Sequence, residues 1–128
     1  MRNRIIIIIS IMTAAIFAGC NGGGNKASEP VSLKFDTVAG NRTFAVETQQ
    51  IDSGYGYTVS VNGKKLIQQT IVPVIEGKHR FMTAQDALNT GKVVVGKMIS
   101  TADLPSLTKE DLIMLGVLSQ DGTLITTK

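Results

Sequence analysis

Apolar and polar residues alternate along three successive segments of the chain, 31–38, 43–51 and 55–61. The alternation is clearest in the third segment, where Tyr55 and Tyr57 begin a series of large residues at every second position. A period of two places these side chains on one face of an extended backbone. The pattern therefore predicts three strands, each with one buried face.

A fourth strand is predicted over residues 64–69, directly after the pair Asn62-Gly63. Asn-Gly between two β-prone runs is typical of a two-residue hairpin, because a type I′ turn needs a positive φ at both central residues. In the plain two-residue register Val59 faces Leu66, whereas a slip of one residue brings Ile67 to that face. The sequence leaves both registers open.

After the strands, the apolar period lengthens to three and four residues. This spacing predicts a helix over residues 83–100. Thr83 and Asp86 resemble a capping box at its start, and Gly91 marks a point where the helix can approach the sheet closely. The periodic positions are Ala84, Ala87, Leu88, Gly91, Val94, Val95 and Met98.

A shorter helix is predicted over residues 109–115, with Thr108 as its N-cap and Gly116 as its stop. Together the patterns predict an α+β fold, an antiparallel β-meander of about four strands packed on one main helix, plus a short C-terminal helix. Residues 31–128 are enough for one modest core, and so for a single small domain.

The N-terminus has the layout of a secretory signal peptide. Arg2 and Arg4 precede an apolar run from Ile5 to Phe17, and small residues follow. The run is shorter than the roughly 20 apolar residues that a membrane-spanning helix needs. Residues 1–19 are therefore predicted to be cleaved on export.

The four residues Phe17, Ala18, Gly19 and Cys20 resemble the lipobox of bacterial lipoproteins. In such proteins a diacylglycerol is attached to the cysteine sulfur, the signal is cut just before that residue, and its new amino group is acylated. The resemblance implies that Cys20 carries fatty acids such as palmitate. Several acyl chains at about 0.8 kcal/mol per buried methylene give durable membrane anchoring.

Residues 20–30 form a Gly-rich polar segment, which is typical of a flexible tether. Asn21 stands where lipoproteins retained in the inner membrane carry Asp, so the resemblance implies the outer membrane. We expect the periplasmic face of that membrane, with the cell surface as the alternative.

The formal net charge of +3 comes from 13 basic and 10 acidic residues. Without Arg2 and Arg4, the cleaved chain keeps 11 basic and 10 acidic residues, a net charge of +1. This balance gives no electrostatic reason to expect a nucleic-acid partner. Cys20 is the only cysteine, which excludes an intramolecular disulfide and a cysteine-ligated zinc site.

Four hairpin residues form a weak candidate binding surface, Tyr55, Tyr57, Gln68 and Gln69. The tyrosines share one face of a strand, where they either fill the core or contact a glycan or peptide. One of the two glutamines must point into the buried face, where its amide needs partners. His79 lies in a basic segment without the signature of a triad, so the sequence predicts no catalytic residue, metal or cofactor.

A recognisable order of residues runs from Gly54 to Leu115. It comprises Gly54, Gly56, Tyr57, Asn62, Gly63, Lys64, Ile67, Gln69, Val72, Pro73, Gly77, Phe81, Leu104, Pro105, Leu107 and Thr108. This pattern resembles a family of small lipoproteins from Gram-negative bacteria, known only as domain of unknown function 4907. Family members often have His-Gln-Pro where this chain has Gln68-Gln69-Thr70, so no role for imidazole is implied there. The resemblance implies a fold and a cellular location but no mechanism.

These observations lead to one functional hypothesis. The chain is a lipid-anchored cell-envelope protein whose folded part is a non-catalytic binding or accessory module. Its partner would be an envelope protein, a peptide or a glycan, held at an exposed sheet face or edge. The alternative is an envelope hydrolase or an enzyme inhibitor whose site no motif marks.

Overall fold

The computed structural model describes residues 31–127, which form a four-stranded antiparallel sheet and two helices. The predicted signal peptide, lipobox and tether lie outside the described residues. The strands lie side by side in chain order, which confirms the predicted α+β meander. Their bounds are β1 Lys34–Ala39, β2 Arg42–Ile51, β3 Gly54–Val61 and β4 Lys64–Gln69, and the helices are α1 Ala84–Thr101 and α2 Lys109–Met114.

The β3–β4 hairpin uses both of the registers that the sequence leaves open. Next to the turn, Val61 pairs with Lys64, as in the plain two-residue register. A β-bulge then shifts the pairing by one residue, so that Val59 pairs with Ile67. Leu66 is left 47% exposed at the bulge. The bulge therefore decides which side chains of β4 reach the buried side of the sheet.

One side of the sheet, which we call the inner face, packs on α1 and carries the core. The helix lies mainly over β2 and β3, with a smaller contact to β1. Gly91 permits this approach, because a Cβ at that position would overlap Cγ1 of Val46 and lie 3.1 Å from the ring of Tyr57. The core residues buried most completely are Phe44, Val46, Tyr57, Val59, Val72, Phe81, Ala87, Val95, Leu112, Val117 and Leu118.

The first strand begins later than the alternation predicts. β1 starts at Lys34, and Val31 is 50% exposed instead of continuing the buried face. Just before β1, the Leu33 carbonyl accepts the backbone N–H of Thr48 at 2.9 Å, but the Leu33 N–H donates to the Thr48 hydroxyl at 2.7 Å. Because the sequence shows only alternation, it does not reveal where a side chain takes over a backbone hydrogen bond.

Both helices begin at a threonine, as predicted. The Thr83 hydroxyl accepts the backbone N–H of Asp86 at 3.1 Å. At α2 the capping box is complete, because Thr108 and Asp111 each accept a hydrogen bond from the other's backbone N–H. A side-chain cap at each helix start is worth about 1 kcal/mol. Beyond α2, Leu118 and Leu124 form a short antiparallel bridge.

Candidate functional site

A groove of about 290 Å³ opens on the inner face between β4 and the segment that joins α1 to α2. Because α1 is centred on β2 and β3, the inner side of β4 is left partly uncovered. We call this space the β4 groove. It is lined by Tyr57, Ile67, Gln69, Pro73, Val94, Pro105, Ser106 and Leu107.

Tyr57 contributes a buried phenol to the β4 groove. Its side chain is 1% exposed, and its ring packs against Phe81 with the centroids 5.8 Å apart. Burial raises the pKa of the Tyr57 hydroxyl, so the group is neutral at physiological pH. No hydrogen bond joins this hydroxyl to another of residues 31–127. Its oxygen is not among the buried side-chain atoms that lack a partner, so solvent or a ligand can reach it and use it as a donor and acceptor.

Gln69 is the glutamine that points to the inner face, whereas Gln68 is exposed on the opposite side. The β-bulge causes this arrangement, since it pairs Tyr57 with Gln69 and not with Gln68. The Gln69 amide donates from Nε2 to the carbonyl oxygen of Ile71 at 2.7 Å. This hydrogen bond fixes the orientation of the amide beside Tyr57.

The far wall of the β4 groove is held by a charged network. Lys97 on α1 donates to the carbonyl oxygen of Ser106 at 3.2 Å and to the carboxylate of Asp111 at 2.6 Å. Asp111 also accepts the backbone N–H of Thr108 at 2.8 Å. The hydrogen bond from Lys97 and those from Thr108 lower the pKa of Asp111. The loop that forms this wall is thus attached to both helices.

Two exposed apolar residues adjoin the β4 groove. Val74 follows Pro73 and is 54% exposed, and Leu104 precedes Pro105 and is 71% exposed. Val74 has a φ of 73°, which is unfavourable for a β-branched residue. Strained backbone is concentrated at functional sites in proteins, and this strain lies directly beside the groove.

The other side of the sheet, the outer face, is polar and holds a cleft of about 360 Å³. Within it, Lys34 and Glu47 form an exposed ion pair at 3.8 Å. The side-chain nitrogen of Gln49 is buried and has no hydrogen-bond partner within residues 31–127. The cleft, which we call the outer cleft, is lined by Lys34, Ala45, Glu47, Thr48, Gln49, Thr58, Ser60, Gly63 and Lys65.

The Gly-x-Gly pattern of β3 has a packing role. A Cβ at Gly54 would overlap the side chain of Arg80, and one at Gly56 would lie 2.6 Å from the backbone oxygen of Gln69. The two glycines therefore let β4 and the segment before α1 cross close to β3. Phe81 completes this crossing, since it exchanges two backbone hydrogen bonds with Tyr55.

The remaining candidates lie away from the β4 groove. Tyr55 is half-buried at the edge of the core, and His79 is exposed in the segment before α1. Within residues 31–127 no three His, Cys, Asp or Glu side chains are placed to hold a metal ion. In the same part of the chain, no helix combines the length and apolar character needed to cross a membrane.

Comparison with known families gives one match. The family model described as Domain of unknown function (DUF4907) matches residues 47–113. The chain belongs to the DUF4907 family. No curated protein and no solved structure matches the chain.

The DUF4907 match includes all eight residues that line the β4 groove, whereas two residues of the outer cleft, Lys34 and Ala45, precede it. Six groove residues also belong to the ordered pattern from Gly54 to Leu115, namely Tyr57, Ile67, Gln69, Pro73, Pro105 and Leu107. Six of the sixteen residues of that ordered pattern therefore line one groove.

Of the weak candidate surface, the structure brings Tyr57 and Gln69 together and separates Tyr55 and Gln68 from them. The sequence did not indicate that residues 105–107 face β4, because the position of a loop depends on tertiary packing. One signal was present, since Pro105 and Leu107 belong to the same ordered pattern as Tyr57. No such signal marked Lys97, because its hydrogen bonds to Ser106 and Asp111 depend on where α2 lies.

Proposed function

We propose that this DUF4907 protein is a non-catalytic binding module of the cell envelope, anchored through lipid on Cys20, with the β4 groove as its binding site. The observation that carries the proposal is the Tyr57 hydroxyl, which belongs to a residue lining the groove and makes no hydrogen bond among the described residues. A few polar groups placed among apolar side chains are how binding sites orient their ligands.

The dimensions of the β4 groove support binding over catalysis. Its volume of about 290 Å³ lies at the lower end of the range for small-molecule sites, roughly 300–1,000 Å³. A groove of this size holds one side chain or one small ring. It is lined by no carboxylate, histidine or cysteine that could act as an acid, base or nucleophile.

The anchoring part of the proposal is tested at Cys20. We expect Cys20→Ala to abolish labelling with radioactive palmitate and release the protein from membranes. Asn21→Asp is the matched variant, because it keeps the thiol and changes only the sorting position. It should stay lipidated but remain with the inner membrane on density-gradient fractionation. A Cys20→Ala protein that still carries label and sediments with membranes would overturn the anchor.

The binding part is tested by crosslinking in intact cells. Benzoylphenylalanine placed at Leu104, beside the β4 groove, should give a reproducible adduct under ultraviolet light. The same probe at Val38, which is 68% exposed on β1, is the matched control and should not. A Ser106→Phe change, which fills the groove, should remove the Leu104 adduct. Repeated failure to obtain an adduct specific to Leu104 would refute the proposed site.

A further inference from the structure

The edge of β4 lies directly beside the β4 groove. Strand order places β4 at one end of the sheet and β1 at the other, so each has a side that faces no other strand of the described chain. Along such a side, alternate backbone N–H and C=O groups are free to pair with an added strand. Ile67 and Gln69 belong to β4 and also line the groove, so the strand edge and the groove form one continuous surface.

An added strand would suit this surface because its side chains alternate. Residues on one side of it would lie over the inner face, where the groove can take an apolar side chain. Leu66 is 47% exposed and Leu104 is 71% exposed; both are next to residues of the groove lining in sequence and offer further apolar contact. On the inner side of the β1 edge, by contrast, Lys92 of α1 lies over the ring of Phe35 at 4.6 Å.

Charge distinguishes the two edges. β4 carries Lys64 and Lys65, both exposed, and no acidic residue. On β1, Lys34 is paired with Glu47, and Asp36 follows it on the strand. The β4 edge is therefore positive and would attract an acidic segment. The same lysines disfavour a second copy of this chain, because pairing β4 with β4 would bring like charges together.

We infer that the ligand of the β4 groove is an extended, acidic peptide segment of another envelope protein, which adds to β4 as a fifth strand and inserts one apolar side chain into the groove. This inference rests on the proposed binding function and names the chemical class of the partner. Backbone pairing supplies the affinity, the groove selects the apolar side chain, and the two lysines select the charge.

The test uses a defined probe, the capped hexapeptide of alternating Glu and Leu, and the isotope-labelled, lipidated full chain in detergent micelles. Titration should shift the amide resonances of β4 and of residues 105–107, with a Kd on the order of 0.1–1 mM, as for a small interface. The capped Lys-Leu hexapeptide is the matched control and should bind at least about tenfold more weakly. Shifts confined to β1, or none at millimolar peptide, would overturn the inference.

A charge-reversed protein sharpens the result. With both Lys64→Glu and Lys65→Glu, the preference should invert, so that the Lys-Leu peptide binds more tightly than the Glu-Leu peptide. If the preference does not invert, the charge selection is refuted. The outcome is separable from the crosslinking at Leu104. A specific adduct in cells together with no peptide binding would keep the groove as a site and reject the peptide as its ligand.

Discussion

The inner and outer faces of the sheet arise from the same alternation along the same strands, but they are closed to different degrees. On the inner face, α1 buries Phe44, Val46 and Val59 completely. On the outer face, no described element covers the strands, and polar side chains such as Glu47 and Lys65 are exposed. The inner face therefore carries the stability of the domain, and the outer face chiefly its solubility.

The β4 groove lies where the inner face extends beyond the helix. There α1 contributes only Val94 to the lining, and the polar side chains of Gln69 and Ser106 adjoin apolar ones. Tyr57 packs its ring in the core there, but its hydroxyl makes no hydrogen bond within the described chain. We conclude that the groove is the part of the inner face whose side chains are not fully used in packing the core.

The contrast is tested most strongly by neighbouring residues on β2. Phe44→Ala removes a fully buried ring from the inner face and should lower the free energy of unfolding by about 3–5 kcal/mol. Thr43→Ala, one residue earlier on the exposed side, should change it by no more than about 0.5 kcal/mol. Urea denaturation measures both, with the m-value as a check on two-state unfolding. Equal effects would contradict the assignment of the faces.

The two glycines within α1 provide the next test. A Cβ at Gly91 would overlap Val46, whereas one at Gly96 would have no atom within 4 Å. Gly91→Ala should therefore destabilise by about 1–2 kcal/mol, since overpacking outweighs the gain in helix propensity. Gly96→Ala should stabilise by up to about 1 kcal/mol. If thermal denaturation shows both changes to be stabilising, the helix does not pack closely on the sheet.

Much of this architecture could be predicted from the sequence. Apolar residues at every second position predicted the strands, and those at steps of three and four predicted α1. The Asn62-Gly63 pair predicted the position of the hairpin turn. These features depend on local preferences and on which residues share a face. The start of β1 was predicted too early, and at that point one of the two hydrogen bonds between Leu33 and Thr48 goes to the Thr48 hydroxyl instead of the backbone.

The candidate site was harder to predict. Tyr57 and Gln69 were both named, but they were grouped with Tyr55 and Gln68, which lie elsewhere. The deciding feature is the β-bulge, which aims Gln69 and not Gln68 at the inner face. A one-residue shift of this kind results from competition between packing of the whole sheet and the local turn, and the residues of the hairpin alone do not determine it.

Two ion pairs, one on each side of the sheet, allow the two faces to be compared through the pH dependence of the free energy of unfolding. Lys97 and Asp111 lie 2.6 Å apart beside the β4 groove, and their hydrogen bond lowers the pKa of Asp111. A carboxylate with a lowered pKa stabilises the fold above its unfolded pKa of about 3.9 and loses that contribution as pH falls through its folded pKa. Asp111→Asn should therefore cost about 1 kcal/mol at pH 7, and the difference from the native protein should vanish in acid.

The control for this pH test is Glu47→Gln on the outer face. Glu47 and Lys34 are 3.8 Å apart and more than half exposed, so their pairing contributes little. At pH 7, Glu47→Gln should lower the free energy of unfolding by less than Asp111→Asn does. Unfolding by urea from pH 2 to pH 7 gives both curves. Parallel curves for the two variants would show that the network at the groove wall is no stronger than a surface pair.

The smallest expected effect on stability is the most informative about function. Tyr57→Phe removes only the hydroxyl, which has no partner among residues 31–127, and leaves the ring packed against Phe81. Deleting a hydroxyl that makes no hydrogen bond within the described chain should change the free energy of unfolding by no more than about 0.5 kcal/mol. If the hydroxyl serves a ligand, the same change should remove the crosslink from Leu104 and weaken peptide binding. A clear loss of stability would instead mean that the hydroxyl is paired within the folded chain. The main observation that supports a binding site at the groove would then no longer hold.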